Sequence, residues 1–272
     1  MRQSATSVFQ NWPGEFAWGL IDSEQAIRKN ALKQRMVRLL GVSDSGMSNS
    51  SIPARLPALI FDLDGTLTDS KPGIVGCLRE VLDARGMDWE GPLDRFVGPP
   101  VEEWTVELMP AGSNEDRAAL AREYRACYDR AGWKNNSVFA GVREMLAGLH
   151  EQGFRLFVCT SKQQHFAIRI LDLFGLTHLF AATYGDKAEY PNHGKAELLE
   201  MLLREQSIDK ESAVMIGDRS YDFQAARANG VRCVAAAWGY GSPEEFLLAD
   251  SVAATPADVF PLVPKAWRGI AD

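Results

Sequence analysis

Two aspartates one residue apart, Asp62 and Asp64, close the apolar run Leu59-Ile60-Phe61 and are followed by Gly65-Thr66-Leu67-Thr68. Successive side chains on a strand point to opposite faces, so the two carboxylates share a side if the strand continues. A turn at Gly65 keeps both near the carboxyl end of that strand, where parallel α/β sheets bind ligands. Adjacent carboxylates repel each other and call for a cation, and oxygen-only ligands of this kind suit magnesium. A bare Asp-x-Asp would read as a strand running into an acidic turn. The apolar strand before it and the Gly-Thr-Leu-Thr after it favour a functional site.

Three further segments carry chemistry. Phe154 to Lys162 is a strand ending in the hydroxyls of Thr160 and Ser161. A hydroxyl beside a helix N-terminus is a natural phosphate site, although Thr-Ser after a strand also serves as an ordinary helix cap. Lys195 precedes an amphipathic stretch with Leu198, Leu199, Leu202 and Leu203 on one face. Taken alone it is a solvated charge. Ala213 to Asp222 reads as a strand followed by Gly-Asp-x-x-x-Asp opening a helix. Taken alone, Asp222 can be a first-turn carboxylate favoured by the helix dipole.

The four segments, in this order, resemble the motifs of the haloacid dehalogenase superfamily of phosphotransferases. The resemblance implies that Asp62 attacks phosphorus and that Asp64 is the general acid/base. It implies a phosphate subsite of Thr160, Ser161, Lys195 and Gly65, with Lys195 neutralising nucleophile and phosphate. Magnesium would be held by Asp62, Asp64, Asp218 and Asp222. The chemistry is sound unaided, because a carboxylate can form an aspartyl-phosphate and a neighbouring carboxyl can carry the proton. Asp64 argues against the dehalogenase branch, which needs no leaving-group acid. Val97-Gly98-Pro99-Pro100, Thr160-Ser161-Lys162, Gly217-Asp218-Arg219 and Trp238-Gly239-Tyr240-Gly241-Ser242 are most similar to the phosphoglycolate phosphatase-like branch. The short segment 186–193, with Pro191 and His193, departs from it at the entry to the lysine loop.

The activity so implied is a magnesium-dependent phosphatase acting on a small phosphorylated metabolite, phosphoglycolate-like or a 5′-nucleotide. A mutase of the β-phosphoglucomutase type shares this catalytic set. A non-catalytic binding module on the same fold is the reading from another class. Loss of Asp62 or Asp64 would signal it, and both are present.

The chain has 272 residues, 24% charged and 46% hydrophobic, which is globular. A net charge of −7 argues against a nucleic-acid partner, so substrate anions must be attracted locally. No apolar run approaches membrane-spanning length. The four cysteines, Cys77, Cys127, Cys159 and Cys233, lack metal spacing and read as buried free thiols in a reducing cytoplasm. A monomer or homodimer is expected.

These elements imply an α/β fold: a Rossmann-like parallel sheet flanked by helices, with an inserted all-helical cap. Residues 56–70 and 137–272 form the core in this division, and 71–136 the cap. Strands are expected over Leu56 to Asp69, Arg155 to Thr160, Ala181 to Tyr184, before Asp218, and over Val231 to Trp238. Helices carry Val142 to Leu149 and Phe166 to Phe174. Within the cap, helical stripes cover Ile74 to Leu82, Val101 to Met109 and Glu115 to Arg130. Phe96 to Pro100 is a stiff apolar loop, either facing substrate as in the family or turning between helices. Residues 1–55 form an N-terminal extension with a mixed helix-like run from Glu24 to Leu40. Its first 46 residues match nothing in the family. Met47 then leads a sequence of ordinary length, which reads them as an upstream translation artefact, with an accessory docking segment as the alternative.

Overall fold

The computed structural model describes residues 57–187 and 194–268, all within one unit that spans Ala54–Asp272. The extension with its helix-like run, and Pro191 and His193, lie outside the described residues.

The strands, in chain order, are β1 (Ala58–Phe61), β2 (Thr68–Asp69), β3 (Ser137–Val138), β4 (Arg155–Gln163), β5 (Ala182–Asp186), β6 (Ala213–Gly217), β7 (Arg232–Ala236) and β8 (Ser251–Ala253). Six of them form one sheet in the order β5-β4-β1-β6-β7-β8. Every neighbouring pair is parallel. Parallel strands need crossovers, and here helices supply them. They are α4 (Val142–Glu151), α5 (Gln164–Leu173), α6 (Lys195–Glu205), α7 (Ser220–Asn229) and the short α8 (Pro243–Phe246), while α9 (Val259–Arg268) follows the last strand. Leu59 and Ile60 project to opposite faces of β1 and both are fully buried, as a strand covered on both sides requires. On one face Ile60, Phe157 and Met215 pack with Leu198, Leu202 and Phe223 of α6 and α7. Elsewhere α4 packs on β4 and α9 against β7 and β8.

Between β2 and β3 the chain leaves the sheet for a helical segment: α1 (Lys71–Ala84), α2 (Val101–Leu108) and α3 (Asn114–Arg130). The two crossings are tied by an antiparallel ribbon, Thr68 opposite Val138 and Asp69 opposite Ser137. Ser113 and Asp116 form a capping box that starts α3. Gly86, at φ +62°, takes the left-handed residue that follows α1. Cys77 of α1 and Cys127 of α3 have their sulfurs 2.7 Å apart, and all four cysteines are free and buried.

Three departures from the sequence expectation have physical causes. The first strand stops at Phe61, because the Leu67 and Thr68 N–H groups both fold back onto the Leu63 carbonyl; only Thr68–Asp69 resumes as strand. The strand expected to end at Thr160 runs on to Gln163, with an irregularity in its pairing to β5 after Thr160. The three-residue β8 was not anticipated, being too short to show a period. Among the described residues no helix is long and apolar enough to cross a membrane.

Candidate active site

The sheet register alone brings three of the candidate residues to one edge. Phe61 of β1 lies opposite Val158 of β4 and Ile216 of β6. Asp62 is the next residue along β1, and its N–H still bonds the Ile216 carbonyl at 2.9 Å. Two residues beyond the paired positions, Thr160, still within β4, and Asp218, just past β6, lie at the same end. Lys195 is the first residue of α6, which points it over that edge while Leu198, Leu199, Leu202 and Leu203 are buried beneath. Asp222 sits in the first turn of α7, where its carboxylate also accepts the Arg219 N–H at 2.9 Å. Asp222 therefore caps its helix and faces the site at once.

The carboxylates of Asp62, Asp218 and Asp222 form a buried group with oxygens within 4.8 Å of one another. Asp218 is fixed from both sides: Thr66 Oγ1 donates to one oxygen at 3.1 Å and the Tyr240 N–H to the other at 2.9 Å. Lys195 Nζ lies 2.6 Å from Asp62 and also pairs with Asp222. The side chain of Asp64, counted above among the metal ligands, does not join this group. Its Oδ2 is taken by Lys162 Nζ at 2.7 Å, because the turn after Phe61 carries it away from the other three. Its Oδ1 is buried and has no hydrogen-bond partner.

Burial is the dominant electrostatic fact. It pushes the Asp62 carboxyl up to about 7, with Lys195 pulling it back and Asp222 and Asp64 adding to the rise. Burial likewise raises Asp218, helped by Asp222 and Asp62. For Lys195 burial works against the charge, but Asp222 and Asp62 outweigh it and the net shift is upward. Lys162 behaves the same way through Asp64. With all four carboxyls ionised, the two ammonium groups would leave a surplus of two negative charges in a site that water hardly reaches. Buried charge of that size is costly unless compensated. The all-oxygen donor set and the surplus of two charges fit one magnesium ion.

Thr160 Oγ1 accepts the Lys162 N–H at 3.2 Å, which leaves its own proton free to donate. Ser161 lines the cavity above, together with Asp64, Lys162 and Lys195. Gly65 makes room for Asp218. Its φ is +90°, and a Cβ there would collide with the Asp218 carboxylate. Gly65→Ala should displace Asp218 and lower kcat/KM at least about a hundredfold, the scale of a 1 Å misplacement at a catalytic centre. Steady-state kinetics with a magnesium titration would check this, and activity within a fewfold of wild type would refute it.

Sequence reasoning missed three participants. Lys162 stands in the Thr160-Ser161-Lys162 motif, and its pairing with Asp64 is visible only once β1 and β4 are side by side. Tyr240 holds Asp218 through its backbone and Asp69 through its hydroxyl, at 2.7 Å. Arg219 donates from Nη1 to the Val97 carbonyl at 2.8 Å and from Nε to Glu245. It thus ties the loop after β6 to the 96–100 loop. That loop faces the cavity, with Phe96, Gly98, Pro99 and Pro100 in its wall.

A six-stranded parallel sheet with an aspartate-lined carboxyl edge defines a class, and comparison with known sequences agrees. The profile of the haloacid dehalogenase-like hydrolases matches residues 59–236. The chain belongs to that family. Tyrosine-protein kinase PtkA of Mycobacterium tuberculosis is 42% identical over 195 residues, covering 71% of this chain and 66% of its own length. A solved structure of PtkA superposes with a TM-score of 0.66 at 36% identity, over 77% of this chain and 99% of that one. A 5′-nucleotidase of Pseudomonas aeruginosa is 37% identical, over 70% of this chain and 87% of its own length. A phosphoglycolate phosphatase of Cupriavidus necator is 31% identical, over 81% of this chain and all of its own. The resemblance to the phosphoglycolate phosphatase-like branch is thus matched by a relative of that name.

Proposed function

We propose that the chain is a phosphatase, hydrolysing a small phosphorylated metabolite through an aspartyl-phosphate at Asp62 in the presence of magnesium. The observation that carries this reading is the pairing of roles at one sheet edge: Asp62 against Lys195, and Asp64 two residues on with one buried oxygen unclaimed. An Asp62 oxygen attacks phosphorus, and the bond from phosphorus to the leaving oxygen breaks. Asp64 Oδ1, which has no other partner, delivers the proton that the leaving oxygen takes up. Water then attacks phosphorus, Asp64 removes its proton, and Asp62 is released with inorganic phosphate. Lys195 and the Thr160 hydroxyl bind the phosphoryl oxygens and offset the charge that builds there. Asp62, Asp218 and Asp222 would hold magnesium, which supplies further neutralisation of the phosphate dianion.

The assignment of Asp64 makes a graded prediction. Asp64→Asn should slow turnover by roughly 10²- to 10⁴-fold, the usual worth of a general acid/base. Alkyl phosphates, whose leaving groups need the proton, should lose more than aryl phosphates. The comparison is made within one variant, because the amide also leaves Lys162 without its charged partner. An equal loss for both classes would count against the acid role.

Release of inorganic phosphate from a panel of phosphate esters, with magnesium and with EDTA, tests the whole reading. PtkA's name supports a second one, phosphoryl transfer to tyrosine. Label passing from ATP to a tyrosine peptide, with no phosphate set free from esters, would favour it. Conversion of a sugar phosphate to its isomer would favour the mutase.

A further inference from the structure

Two sulfurs lie together within the helical segment, where the proposed reaction makes no use of them. Cys77 of α1 and Cys127 of α3 are both buried, and their Sγ atoms are 2.7 Å apart. The backbone lets them meet. Gly73 stands one turn before Cys77 on the same face of α1, and a Cβ there would run into the Gly132 carbonyl, two residues past α3. A Cβ at Gly132 would in turn run into Cys77 Sγ and the Tyr128 ring. Two residues without side chains thus bring α1 and the end of α3 close enough for the thiols to touch.

Cys127 also has polar company. Its Sγ lies 3.3 Å from Glu80 Oε2 and 3.6 Å from Arg130 Nη2. Glu80 and Arg130 pair with each other, and both side chains are more than half exposed. The sulfur therefore sits one side chain below the surface. Burial pushes both thiols up, Cys77 to about 12, so neither is a thiolate at rest. The thiol proton must leave in the reacting step, and the Glu80 carboxylate is placed to take it. The hydrogen bond from Arg130 holds that carboxyl below its usual range, hence ionised.

We propose that Cys77 and Cys127 form a dithiol site that a hydroperoxide converts to a disulfide bridging α1 and α3. Cys127 gives its proton to Glu80, and its sulfur attacks one peroxide oxygen. The O–O bond breaks, a sulfenic acid forms on Cys127, and the departing oxygen takes the proton from Glu80 and leaves as alcohol or water. The Cys77 sulfur then attacks the Cys127 sulfur. The S–O bond breaks, and the hydroxyl leaves as water with the Cys77 proton. The two sulfurs together lose two electrons, and the peroxide gains them. Arg130 stands beside the sulfur while negative charge develops there. A disulfide bond is about 2.05 Å long, so the sulfurs need to close by only roughly 0.7 Å.

The site stands independently of the phosphatase reading. Cys159 and Cys233 are its internal control. They are buried as well, but they lie on β4 and β7 with β1 and β6 between them. Three strand spacings, about 14 Å, put them beyond disulfide reach of each other.

The test is a thiol count on the full chain. Reduced protein is treated with hydrogen peroxide, unfolded with an alkylating reagent present, and weighed by mass spectrometry. All four cysteines should take the reagent before treatment and only Cys159 and Cys233 after it, with Cys77 and Cys127 recovered as one linked peptide pair. Dithiothreitol should restore all four. The bridge spans 50 residues of chain, so the oxidised protein should melt about 5 °C or more above the reduced one. In Cys77→Ser, peroxide should give no such rise and should leave an oxygen adduct on Cys127. Glu80→Gln, at an exposed position, should slow bridge formation at least about tenfold. Four free thiols after treatment, oxygen adducts without a link, or a link through Cys159 or Cys233 would overturn the inference. A bridge that lowers the melting temperature would overturn the claim that α1 and α3 are already set for it. An unchanged rate in Glu80→Gln would overturn the role given to Glu80.

Discussion

Asp62→Asn should abolish phosphate release, by at least about 10⁴-fold, while leaving the protein folded. The amide keeps the shape of the side chain and loses the attacking charge. Nucleophile removals in other covalent enzymes set this scale. The variant is expected to melt no lower than wild type, and the reason lies in the site itself. Burial and the neighbouring Asp222 already penalise the ionised Asp62, so a neutral group there relieves repulsion. Lys195 loses one partner and keeps Asp222. Thermal melts and phosphate release on the same purified sample separate chemistry from folding. Activity within tenfold of wild type, in a sequence-verified preparation, would end the aspartyl-phosphate reading.

Most of the fold was legible because its signals are local. Apolar runs mark the parallel strands, and Leu198, Leu199, Leu202 and Leu203 mark a helix by their spacing alone. The same holds for Asp62, Lys195 and Asp218, whose strand or helix ends place them at one edge once the sheet is assumed. Pairings across the chain were not legible. Nothing in the run Thr160-Ser161-Lys162 says that Lys162 will turn back onto Asp64, because that depends on the irregular end of β4. Nor does the segment Trp238 to Ser242 announce that it is the wall behind Asp218. Trp238 Nε1 donates to the Thr66 carbonyl at 2.9 Å, and a Cβ at Gly239 would run into Asp218. A motif quoted for its resemblance thus has a steric reason. The pairing of Asp64 with Lys162, apart from the three-carboxylate group, is of the same kind. Period-two alternation puts Asp64 beside Asp62 only while the strand lasts, and β1 ends first.

Magnesium should be essential, and its removal should have the second largest effect. In excess EDTA phosphate release should fall to background, returning when magnesium is restored. Calcium should inhibit, because its larger and looser shell disturbs in-line geometry at the phosphorus. Binding should also be visible without turnover. Asp62 titrates near 7 rather than at the ordinary 3.8 because burial disfavours its charge, and Asp218 is shifted the same way. Without metal, the folded chain therefore keeps protons that the unfolded chain gives up above about pH 4. Stability of the metal-free protein should fall as pH rises through that window, up to about 7, since the folded state binds more protons there. Magnesium competes with those protons, so its rise in melting temperature should be larger at about pH 8 than at about pH 5. Asp218→Ala should remove most of that rise as well as the activity. Full activity in excess EDTA, or a magnesium-induced rise that survives Asp218→Ala at both pH values, would refute the assignment of the three carboxylates to the metal.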